Sequence, residues 1–416
     1  MDIKGKTVCI VGAARSGIAA ANLAAGMGAG VRITDGKPLA EIEGALGELV
    51  NRAAAEIESG GHTKAFLQGS ELVVASPGVW RDAQPLQWAR AANIPVIGEI
   101  EFAWQFCRKP VIAVTGSNGK TTTVTLISAI CVAGGKKVCL CGNIGTPFTR
   151  HVLDPEVDVF VVEISSFQLE LIKDFCPHIA LITNFSQNHL DRHPDMQDYF
   201  EAKKRIFMNQ GPGNFALVNQ RDEWSRKLTG LAAKVLPFNE GSDGLNANQS
   251  AAFEAGRIMG VADEVMRRVF SAFPTVEHRL ERVRVINNVE YINDSKSTTV
   301  ESGRWALSNV PAPVILICGG HDKGMDYTPL RDLVQKQVKK MIILTREEKS
   351  REILHSVFAG LVPLEDHTEM TAAVRSARDQ AQAGDKVLLS PMFASFDMFN
   401  NFEHRGRVFK EIVRAL

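Results

Sequence analysis

The residue types best suited to chemistry are concentrated in one glycine-rich segment, VIAVTGSNGKTTT at positions 111–123. The apolar residues at 111–114 predict a buried strand, and the residues from Lys120 to Ile130 predict a helix. Glycines between a strand and a helix let backbone N–H groups approach phosphate oxygens, and the helix N-terminus adds partial positive charge. The segment therefore predicts a site for nucleotide phosphates.

Two side chains in this segment have predictable roles. Lys120 is placed to reach the outer phosphates, and the Thr121 hydroxyl is placed to ligate Mg²⁺. Val114 stands where the full P-loop pattern has a further glycine. The residues predicted to contact the phosphates are Gly116, Ser117, Asn118, Gly119, Lys120, Thr121 and Thr122.

A carboxylate is predicted at the end of another strand of this sheet. Glu163 ends the apolar strand DVFVVE at 158–163, and carboxylates at such positions beside a phosphate loop hold or orient Mg²⁺. Ser165 or Ser166, which follow at once, also predict the N-cap of a helix. The two interpretations are compatible.

The first fifty residues predict a second ligand site. GAARSG at 12–17 follows the first predicted strand and resembles a dinucleotide-binding turn that lacks the middle glycine. Asp35 ends the second predicted strand, where such folds hold a ribose or a base. An ordinary tight turn followed by an aspartate at a strand end is the alternative.

The middle of the chain contains two further segments rich in polar side chains. TNFSQNHLDRH at 183–193 includes His189, and a histidine alone would be an unusual ligand for Mg²⁺. YFEAKKRIF at 199–207 predicts a helix with adjacent lysines. From composition alone, a solvated basic face is the simplest interpretation of those lysines.

Three polar loops follow apolar strands in the last third of the chain. They are NDSKST at 293–298, GGHDKG at 319–324 and SPMFASFD at 390–397. In open α/β sheets, ligands bind in the crevice at the carboxyl ends of the strands. The three loops therefore predict a ligand site in this region.

The composition indicates a globular chain of two or three domains. The 416 residues include 47 Lys+Arg and 47 Asp+Glu, so there is no basic field to attract nucleic acid. The seven cysteines form no C-x-x-C pair, which is typical of thiols in a reducing compartment. With neither a secretory signal nor a run of about 18 apolar residues, we expect a cytoplasmic protein that does not enter a membrane.

Strands and helices alternate along the whole chain, which predicts the α/β class with doubly wound, mostly parallel sheets. Strands are predicted at 6–11, 30–34, 71–75, 94–97, 111–114, 137–140, 158–163, 179–183, 215–218, 283–286, 289–292, 314–318, 341–344 and 386–389. The predicted domains are 1–107, 108–275 and 276–416, with Phe273-Pro274-Thr275 as a linker.

Motifs over the whole length resemble those of the Mur ligase family, the ATP-dependent amide-forming enzymes of bacterial peptidoglycan synthesis. They are TGSNGKTTT, GNIG, EISSFQLE, NHLDRH, EAKKRIF, HRLE, NDSKSTT, GGHDKG and SPMFASFDMFNNFEHRG, in family order. The resemblance implies three domains. The N-terminal one is Rossmann-like and binds a UDP substrate, the central one is a P-loop ATPase, and the C-terminal one has a dinucleotide-like fold and binds amino acid and nucleotide.

Within the family, SSFQL and the C-terminal motif are most similar to the branch that adds D-glutamate. That branch joins D-glutamate to UDP-N-acetylmuramoyl-L-alanine through an acyl phosphate, in the cytoplasmic synthesis of peptidoglycan precursors. It thereby serves cell-wall biogenesis, cell shape and cell division. A ligase of the same fold for a different amino acid or acceptor is the alternative within this class.

Two alternatives come from other classes of protein. A nicotinamide oxidoreductase would account for the first fifty residues but leaves the phosphate loop unexplained. A non-catalytic nucleotide-binding module would account for the phosphate loop. The joint presence of Lys120, Glu163, His189 and Lys203 argues against such a module.

The resemblance also implies roles for individual residues. The implied catalytic residues are Lys120, Glu163, His189 and Lys203, and the implied ligands of two Mg²⁺ ions are Thr121, Glu163, His189 and a carbamylated Lys203. Further ATP contacts fall to Asn248, Arg279 and Asp294. The implied UDP-substrate contacts are Ser16, Asp35, Lys37, Ser76, Pro77, Gly78, Asn143 and His189, and the implied D-glutamate contacts are Thr298, Lys323, Ser395 and Phe402. The partners are thus small molecules, without nucleic acid or membrane, and we expect a monomer.

Two positions depart from the family pattern. Asn188 stands where the family usually has aspartate, which removes one negative charge near the metals. Gly244-Leu245 stands where the family usually has His-Asn ahead of the residue matching Asn248. Neither change removes a residue with an implied role in the reaction.

Overall fold

The computed structural model describes residues 1–188, 192–239, 244–273 and 277–416. Its strands form three sheets, and the chain divides into two compact units. The first unit consists of Met1–Phe185 and Gln197–Phe273, and the second of Ser186–Met196 and Pro274–Leu416. The α/β class predicted from the alternation of elements is confirmed.

The N-terminal sheet is parallel throughout and has the order β3-β2-β1-β4-β5. Its strands are β1 (Thr7–Val11), β2 (Gly30–Asp35), β3 (Ala55–Ser59), β4 (Leu72–Ala75) and β5 (Val96–Gly98). Its helices are α1 (Arg15–Gly26), α2 (Leu39–Leu46), α3 (Lys64–Leu67), α4 (Gln84–Ala91) and α5 (Glu99–Trp104). The strand order reverses between β1 and β4, so their carboxyl ends open a crevice.

The central sheet is also parallel throughout, with the order β11-β10-β9-β6-β8-β7. Its strands are β6 (Val111–Thr115), β7 (Val138–Gly142), β8 (Val159–Glu163), β9 (Ile179–Ile182), β10 (Phe215–Asn219) and β11 (Lys234–Phe238). Its helices are α6 (Lys120–Ala133), α7 (Ser166–Leu169), α8 (Met196–Lys204), α9 (Ala247–Ile258) and α10 (Asp263–Ala272). Strand β6 is apolar and wholly buried because it lies inside the sheet and helices cover it.

Buried carboxylates on α5 connect the N-terminal sheet to the central one. Glu101 Oε2 accepts three backbone N–H groups, from residues 173, 174 and 175, at 2.7, 3.0 and 2.9 Å. Glu99 Oε1 accepts the N–H and the hydroxyl of Thr149, both at 2.8 Å. Burial raises the pKa of Glu99. Because a buried carboxylate is costly without such partners, these bonds fix α5 against the central sheet.

The C-terminal sheet is mixed and has the order β12-β13-β17-β14-β15-β16. Its strands are β12 (Glu281–Ile286), β13 (Val289–Asn293), β14 (Val314–Cys318), β15 (Val338–Leu344), β16 (Leu364–His367) and β17 (Lys386–Leu389). Its helices are α11 (Val300–Asn309), α12 (Arg331–Gln337), α13 (Glu348–Phe358), α14 (Met370–Gln380) and α15 (Phe402–Arg414). Only the β12–β13 pair is antiparallel. Its turn is formed by Asn287 and Asn288, both at positive φ, as a two-residue hairpin of this type requires.

The structure contains three strands that the apolar pattern did not predict, namely β3, β11 and β16. Each lies at the edge of its sheet; β3 (AEIES) and β16 (LEDH) carry several polar residues, and β11 (KVLPF) contains a proline. Strand β7 spans 138–142 rather than the predicted 137–140, because its ladder with β8 continues to Gly142.

The predicted domain boundaries stay predictions. The first, after residue 107, falls between α5 and β6, and the second falls where residues 274–276 lie outside the described part of the chain. Within the described ranges, no helix combines the length and apolar character needed to cross a bilayer.

Candidate functional site

The predicted phosphate loop connects β6 to α6 and depends on two glycines with positive φ. Gly116 has φ 139° and Gly119 has φ 80°, and Gly119 directly precedes the helix. A Cβ atom at Gly116 would lie 1.9 Å from Thr183 Oγ1, and one at Gly119 would lie 2.4 Å from Asn248 Oδ1. Side chains at these positions are therefore excluded both by conformation and by space.

The loop is held in place by the residues that follow β9. Thr183 Oγ1 and Asn184 Nδ2 both donate to the carbonyl of Asn118, at 2.6 and 3.1 Å. The N–H of Asn118 donates to Asn184 Oδ1 at 3.0 Å. Lys120 Nζ reaches back across the loop and donates to the carbonyls of Gly116 and Ser117, each at 2.9 Å. The loop is thus a preformed backbone cradle with a cation over it.

Oxygen ligands cluster beside the first turn of α6. Thr121 Oγ1 donates to Glu163 Oε2 at 2.7 Å, and Asn143 Nδ2 donates to Glu163 Oε1 at 2.9 Å. The sheet order explains the cluster, because β8 lies between β6 and β7 and Glu163 pairs in register with Gly142. A hydroxyl beside a carboxylate fits the preference of Mg²⁺ for oxygen ligands.

Lys203 is buried under the phosphate loop, with only 1% of its surface exposed. Its Nζ donates to the carbonyl of Gly116 at 3.0 Å and to Thr115 Oγ1 at 3.2 Å. Desolvation lowers the pKa of Lys203 well below its usual value, and the charge of Lys120 adds to the effect, whereas Glu163 opposes it. The neighbouring Lys204 lies on the outer face of α8 and pairs with Glu201 at 3.5 Å.

A cavity of about 470 Å³ lies at the crevice of the N-terminal sheet and extends to β7 of the central sheet. It is lined by Gly12, Ala14, Arg15, Ser16, Asp35, Gly36, Lys37, His62, Ser76, Pro77, Gly78, Val79, Gly142, Asn143 and Gln168. Apart from His189, which lies outside the described residues, this list includes every residue predicted to contact the UDP substrate. The structure therefore brings together residues that are as many as 127 positions apart, from Ser16 to Asn143.

The turn at the base of this cavity requires a glycine and an aspartate. A Cβ atom at Gly17 would lie 1.9 Å from the carbonyl of Gly12, whose oxygen accepts the Ser76 hydroxyl at 2.7 Å. Asp35 accepts the N–H of Ala13 at 2.6 Å and that of Lys37 at 2.8 Å. The GAARSG turn is tight and also lines a cavity. The interpretation as an ordinary tight turn and the interpretation as part of a ligand site are therefore compatible.

Three polar side chains that line the cavity were not among the predicted contacts, namely Arg15, His62 and Gln168. Arg15 lies within the GAARSG turn and donates to the carbonyl of Gly145 at 3.1 Å, so its position in that motif was the available signal. His62 follows the unpredicted strand β3, and its Nδ1 is 2.8 Å from Thr34 Oγ1. Gln168 belongs to SSFQL, where it completes the capping box of Ser165.

The second unit brings the loops after β13 and β17 together around Asp294. This buried carboxylate accepts the Ser390 hydroxyl at 2.9 Å and the N–H of Leu280 at 3.2 Å. Burial raises the pKa of Asp294 to about 6, while the nearby charge of Arg279 opposes the shift. Asp294 and Arg279, which both have implied roles in ATP binding, are therefore neighbours in this unit.

A buried arginine holds the predicted amino-acid loops in place. Arg405 donates to the carbonyls of Phe393 and Ala394, at 3.2 and 3.3 Å. It also donates to the hydroxyl of Ser295 at 3.1 Å and to the carbonyl of Ser295 at 2.9 Å. Desolvation lowers the pKa of Arg405 to about 9. Ser295 in turn donates to the carbonyl of Phe402 at 2.8 Å.

The remaining predicted residues are placed as follows. Thr298 is half-buried before α11, Ser395 is buried in the loop after β17, and Phe402 opens α15. Lys323 Nζ donates to Asn188 Oδ1 at 3.3 Å. Asn188, which departs from the family pattern, thus contacts Lys323, a residue predicted to bind D-glutamate. Asn248 lies on α9 and accepts the Thr123 hydroxyl at 3.3 Å, beside the phosphate loop.

Comparisons with known proteins give one consistent result over the whole chain. Models of the Mur ligase MurD-like N-terminal domain, the Mur ligase middle domain and the Mur ligase glutamate ligase domain match residues 6–98, 114–281 and 278–393. The UDP-N-acetylmuramoylalanine–D-glutamate ligase of Chlorobium chlorochromatii is 39% identical and covers 100% of both chains. The enzyme of the same name from Koribacter versatilis is 38% identical and covers 100% of this chain and 99% of its own.

Solved structures with low identity share the fold. The UDP-N-acetylmuramate-alanine ligase of Thermotoga maritima superposes with a TM-score of 0.61 at 15% identity, over 99% of both chains. The MurF ligase of the same organism, solved with ADP, has a TM-score of 0.61 at 15% identity over 84% of this chain and 91% of its own.

We predict that Gly119→Ala weakens the binding of ADP at least tenfold, because the added methyl group would occupy the space of Asn248 Oδ1. Gly135→Ala is the matched control, since Gly135 has nearly the same φ, 82°, and nothing lies within 4 Å of its Cβ position. Both variants are expected to lose about 1–2 kcal/mol of stability from the strained φ. Titration calorimetry with ADP, alongside thermal unfolding, separates the two effects, and equal ADP affinities in both variants would contradict the prediction.

Proposed function

The chain belongs to the Mur ligase family, and we propose that it is the ATP-dependent ligase that joins D-glutamate to UDP-N-acetylmuramoyl-L-alanine. The observation that carries the proposal is the identity of 38–39% over the full length to enzymes named for this reaction. The cluster of Lys120, Thr121, Glu163 and Lys203 around the phosphate loop supports it, because these are the groups that phosphoryl transfer from ATP needs.

The proposed reaction has two steps. A carboxylate oxygen of the muramoyl-alanine substrate attacks the γ-phosphorus of ATP, so that the bond to ADP breaks and an acyl phosphate forms. The amine of D-glutamate then attacks the acyl carbon, loses a proton and expels inorganic phosphate. A carboxylate is a poor electrophile, and phosphorylation supplies the leaving group that amide formation requires.

The first step depends on positioning and on neutralisation of negative charge. The backbone of residues 116–119 and the N-terminus of α6 would hold the phosphates, and Lys120 would exchange its two carbonyl partners for phosphate oxygens. Thr121 and Glu163 would hold Mg²⁺, which supplies further neutralisation of the phosphates when bound. His189 stays a predicted ligand, because it lies outside the described residues.

The buried amine of Lys203 supports the proposed carbamate. Carbamylation requires a neutral amine and CO₂, and desolvation lowers the pKa of Lys203. A carbamate would place an anion near the positive charge of Lys120 and would add oxygen ligands close to the metal site. The charge balance under the phosphate loop therefore favours modification of this lysine over retention of its ammonium form.

The cavity at the N-terminal crevice is the proposed site of the UDP-linked substrate. Its base is formed by the turn after β1 and by the Ser76-Pro77-Gly78 segment after β4. The first backbone N–H groups of α1, which begins in that turn, suit a diphosphate. Asp35 and Lys37 are proposed to contact the uracil. The cavity extends to Asn143, which bonds Glu163, so the reacting end of the substrate would point to the metal site.

The loops of the second unit are the proposed site of D-glutamate. Lys323 would pair with one carboxylate, and the Ser395 hydroxyl and the N–H of Phe402 would bind the other. Thr298 contributes a further hydroxyl. Arg279, Asp294 and Asn248 are each proposed to contact the adenosine of ATP.

The biological setting is part of the same proposal. A ligase of this specificity acts in the synthesis of peptidoglycan precursors in the cytoplasm, and thereby in cell-wall biogenesis, cell shape and division. We propose a monomer that works on small molecules, without nucleic acid or membrane as a partner.

We predict phosphate release only when ATP, Mg²⁺, UDP-N-acetylmuramoyl-L-alanine and D-glutamate are all present. The measurement is a phosphate-release assay in which the concentrations of ATP and UDP-N-acetylmuramoyl-L-alanine are held constant and different amino acids are supplied. D-Glutamate is expected to give the highest kcat/KM. A preference for L-glutamate, L-alanine or a diamino acid would reject the specificity and would favour the alternative of a same-fold ligase for another amino acid.

We predict that Lys323→Ala raises the KM for D-glutamate roughly ten- to a hundredfold, since loss of a charge-assisted bond costs about 1.5–3 kcal/mol. The KM for ATP is expected to change little. Lys336→Ala, an exposed lysine on α12 of the same unit, is the control and should behave as the unsubstituted enzyme. An equal rise in both KM values for Lys323→Ala would argue against a contact with D-glutamate.

We predict that Lys203→Ala loses most activity and that added formate or acetate restores part of it, because a small carboxylate can occupy the place of the carbamate. Lys204→Ala, whose side chain pairs with Glu201 at the surface, is the control and should be nearly unaffected. A ¹³C carbamate resonance from protein equilibrated with ¹³CO₂ is expected for the unsubstituted chain and for Lys204→Ala. Its presence in Lys203→Ala, or full activity of that variant, would contradict the assignment.

A further inference from the structure

A second cavity, the α1 cavity, runs along helix α1 and has a volume of about 920 Å³. It is lined by one face of this helix, by residues 48 and 50, and by six residues between Gly145 and Leu153. All of them belong to the first compact unit, and Arg15 also lines the proposed substrate cavity. Small-molecule sites commonly have volumes of about 300–1,000 Å³, so the α1 cavity is large enough to hold a ligand.

The floor of the α1 cavity is one face of the helix and is mainly apolar. Residues three and four positions apart share one side of a helix, and this spacing relates the lining residues Arg15, Ile18, Ala19, Asn22, Leu23 and Gly26. Ile18, Ala19 and Leu23 are buried apolar side chains. The floor therefore offers apolar surface along the helix and a cation, Arg15, at its N-terminal end.

Hydrogen bonds hold the walls of the α1 cavity in place. On one wall, Asn22 Nδ2 donates to the carbonyl of Glu48 at 3.0 Å, and Asn22 Oδ1 accepts the N–H of Val50 at 2.9 Å. On the other wall, the N–H and the hydroxyl of Thr149 donate to the buried carboxylate of Glu99, each at 2.8 Å. The cavity is thus formed before a ligand enters, which lowers the entropic cost of binding.

The charged side chains of the α1 cavity favour an anion. Its lining contains two arginines, Arg15 and Arg150, against one carboxylate, Glu48. Arg150 lies 3.9 Å from Glu48, and both side chains are more than half exposed. Because such an exposed ion pair contributes little stability, Arg150 can turn to a ligand at small cost. Two apolar side chains that also line the cavity, Val50 and Leu153, are 85% and 54% exposed.

We propose that the α1 cavity binds a small amphipathic anion, with an alkyl or aromatic body and a single carboxylate or sulfonate head. The body would lie on the apolar floor and would remove the exposed surface of Val50 and Leu153 from water. The head would pair with Arg150, and the charge of Arg15 would add attraction. A neutral molecule of the same shape would bind less tightly, because it forms no charge-assisted bond. The proposal does not depend on the ligase activity.

The test is a titration of the full-length protein with anilinonaphthalene sulfonate, an aromatic sulfonate whose fluorescence rises in apolar surroundings. We expect saturation at one probe molecule per chain, and we expect octanoate to displace the probe where octanol at the same concentration does not. Val50→Glu adds a negative charge to the lining, and Arg150→Ala removes the cation that pairs with the head. Each variant is expected to lower the affinity for the probe about fivefold.

Each variant has a matched control in the same compact unit. Val132→Glu changes another exposed valine, and Arg257→Ala changes an arginine that also pairs with a glutamate, Glu254, at 3.5 Å. Neither Val132 nor Arg257 lines the α1 cavity. Lys37→Ala is a third control, since Lys37 lines the substrate cavity and not the α1 cavity. All three variants should keep the affinity of the unsubstituted protein for the probe.

Thermal unfolding shows which variants fold, and Arg150→Ala decides the test alone if Val50→Glu does not fold. Unchanged affinity in Arg150→Ala would overturn the proposal. An equal loss in Arg257→Ala would do so as well, because the effect would then be one of overall charge. An equal loss in Lys37→Ala would place the probe in the substrate cavity, and equal displacement by octanol would reject the need for an anionic head.

Discussion

The burial of Lys203 beneath the phosphate loop is the constraint on which the central part of the structure depends. An ammonium group in a dry environment is costly unless it is paired, and here its bonded partners are a backbone carbonyl and a threonine hydroxyl. Lys120 adds a second positive charge on the same loop. The carboxylate of Glu163, at the end of β8 beside β6, acts on Lys203 in the opposite direction and raises its pKa.

Other features of this region follow from that arrangement. Helix α8 must present Lys203 to the loop, and it does so by burying Tyr199, whose hydroxyl is 3.1 Å from Ser117 Oγ. Thr183 and Asn184 hold the phosphate loop from the other side. Glycine is required at both ends of the loop. The chemistry of phosphate binding and the packing of the central sheet are thus determined by the same few residues.

Much of this was predictable from the sequence, and the failures have physical reasons. The glycine turn after the apolar strand β6 is a strong local signal, so the phosphate loop was predicted from its own residues. The cavity residues Ser16, Lys37, 76–78 and Asn143 were implied by the family resemblance instead. Strands β3 and β16 were missed because an edge strand need not be apolar, and β11 contains Pro237, a residue that argues against a strand except at a sheet edge. His62 follows β3, and a residue after an unpredicted strand cannot be assigned to a site. The burial of Arg405 was also not predictable, because its partners are mostly backbone carbonyls that are distant in sequence.

The carboxylates of α5 have a consequence for inhibitor design. Glu99 and Glu101 fix this helix to the backbone around Thr149 and residues 173–175, and the cavity between β1 and β7 therefore has both walls within one compact unit. A small molecule that enters a preorganised cavity loses little affinity to the ordering of its receptor. Rigid ligands are accordingly better suited to this cavity than flexible ones, because the protein already holds the cavity in one shape and a rigid ligand loses little conformational entropy on binding.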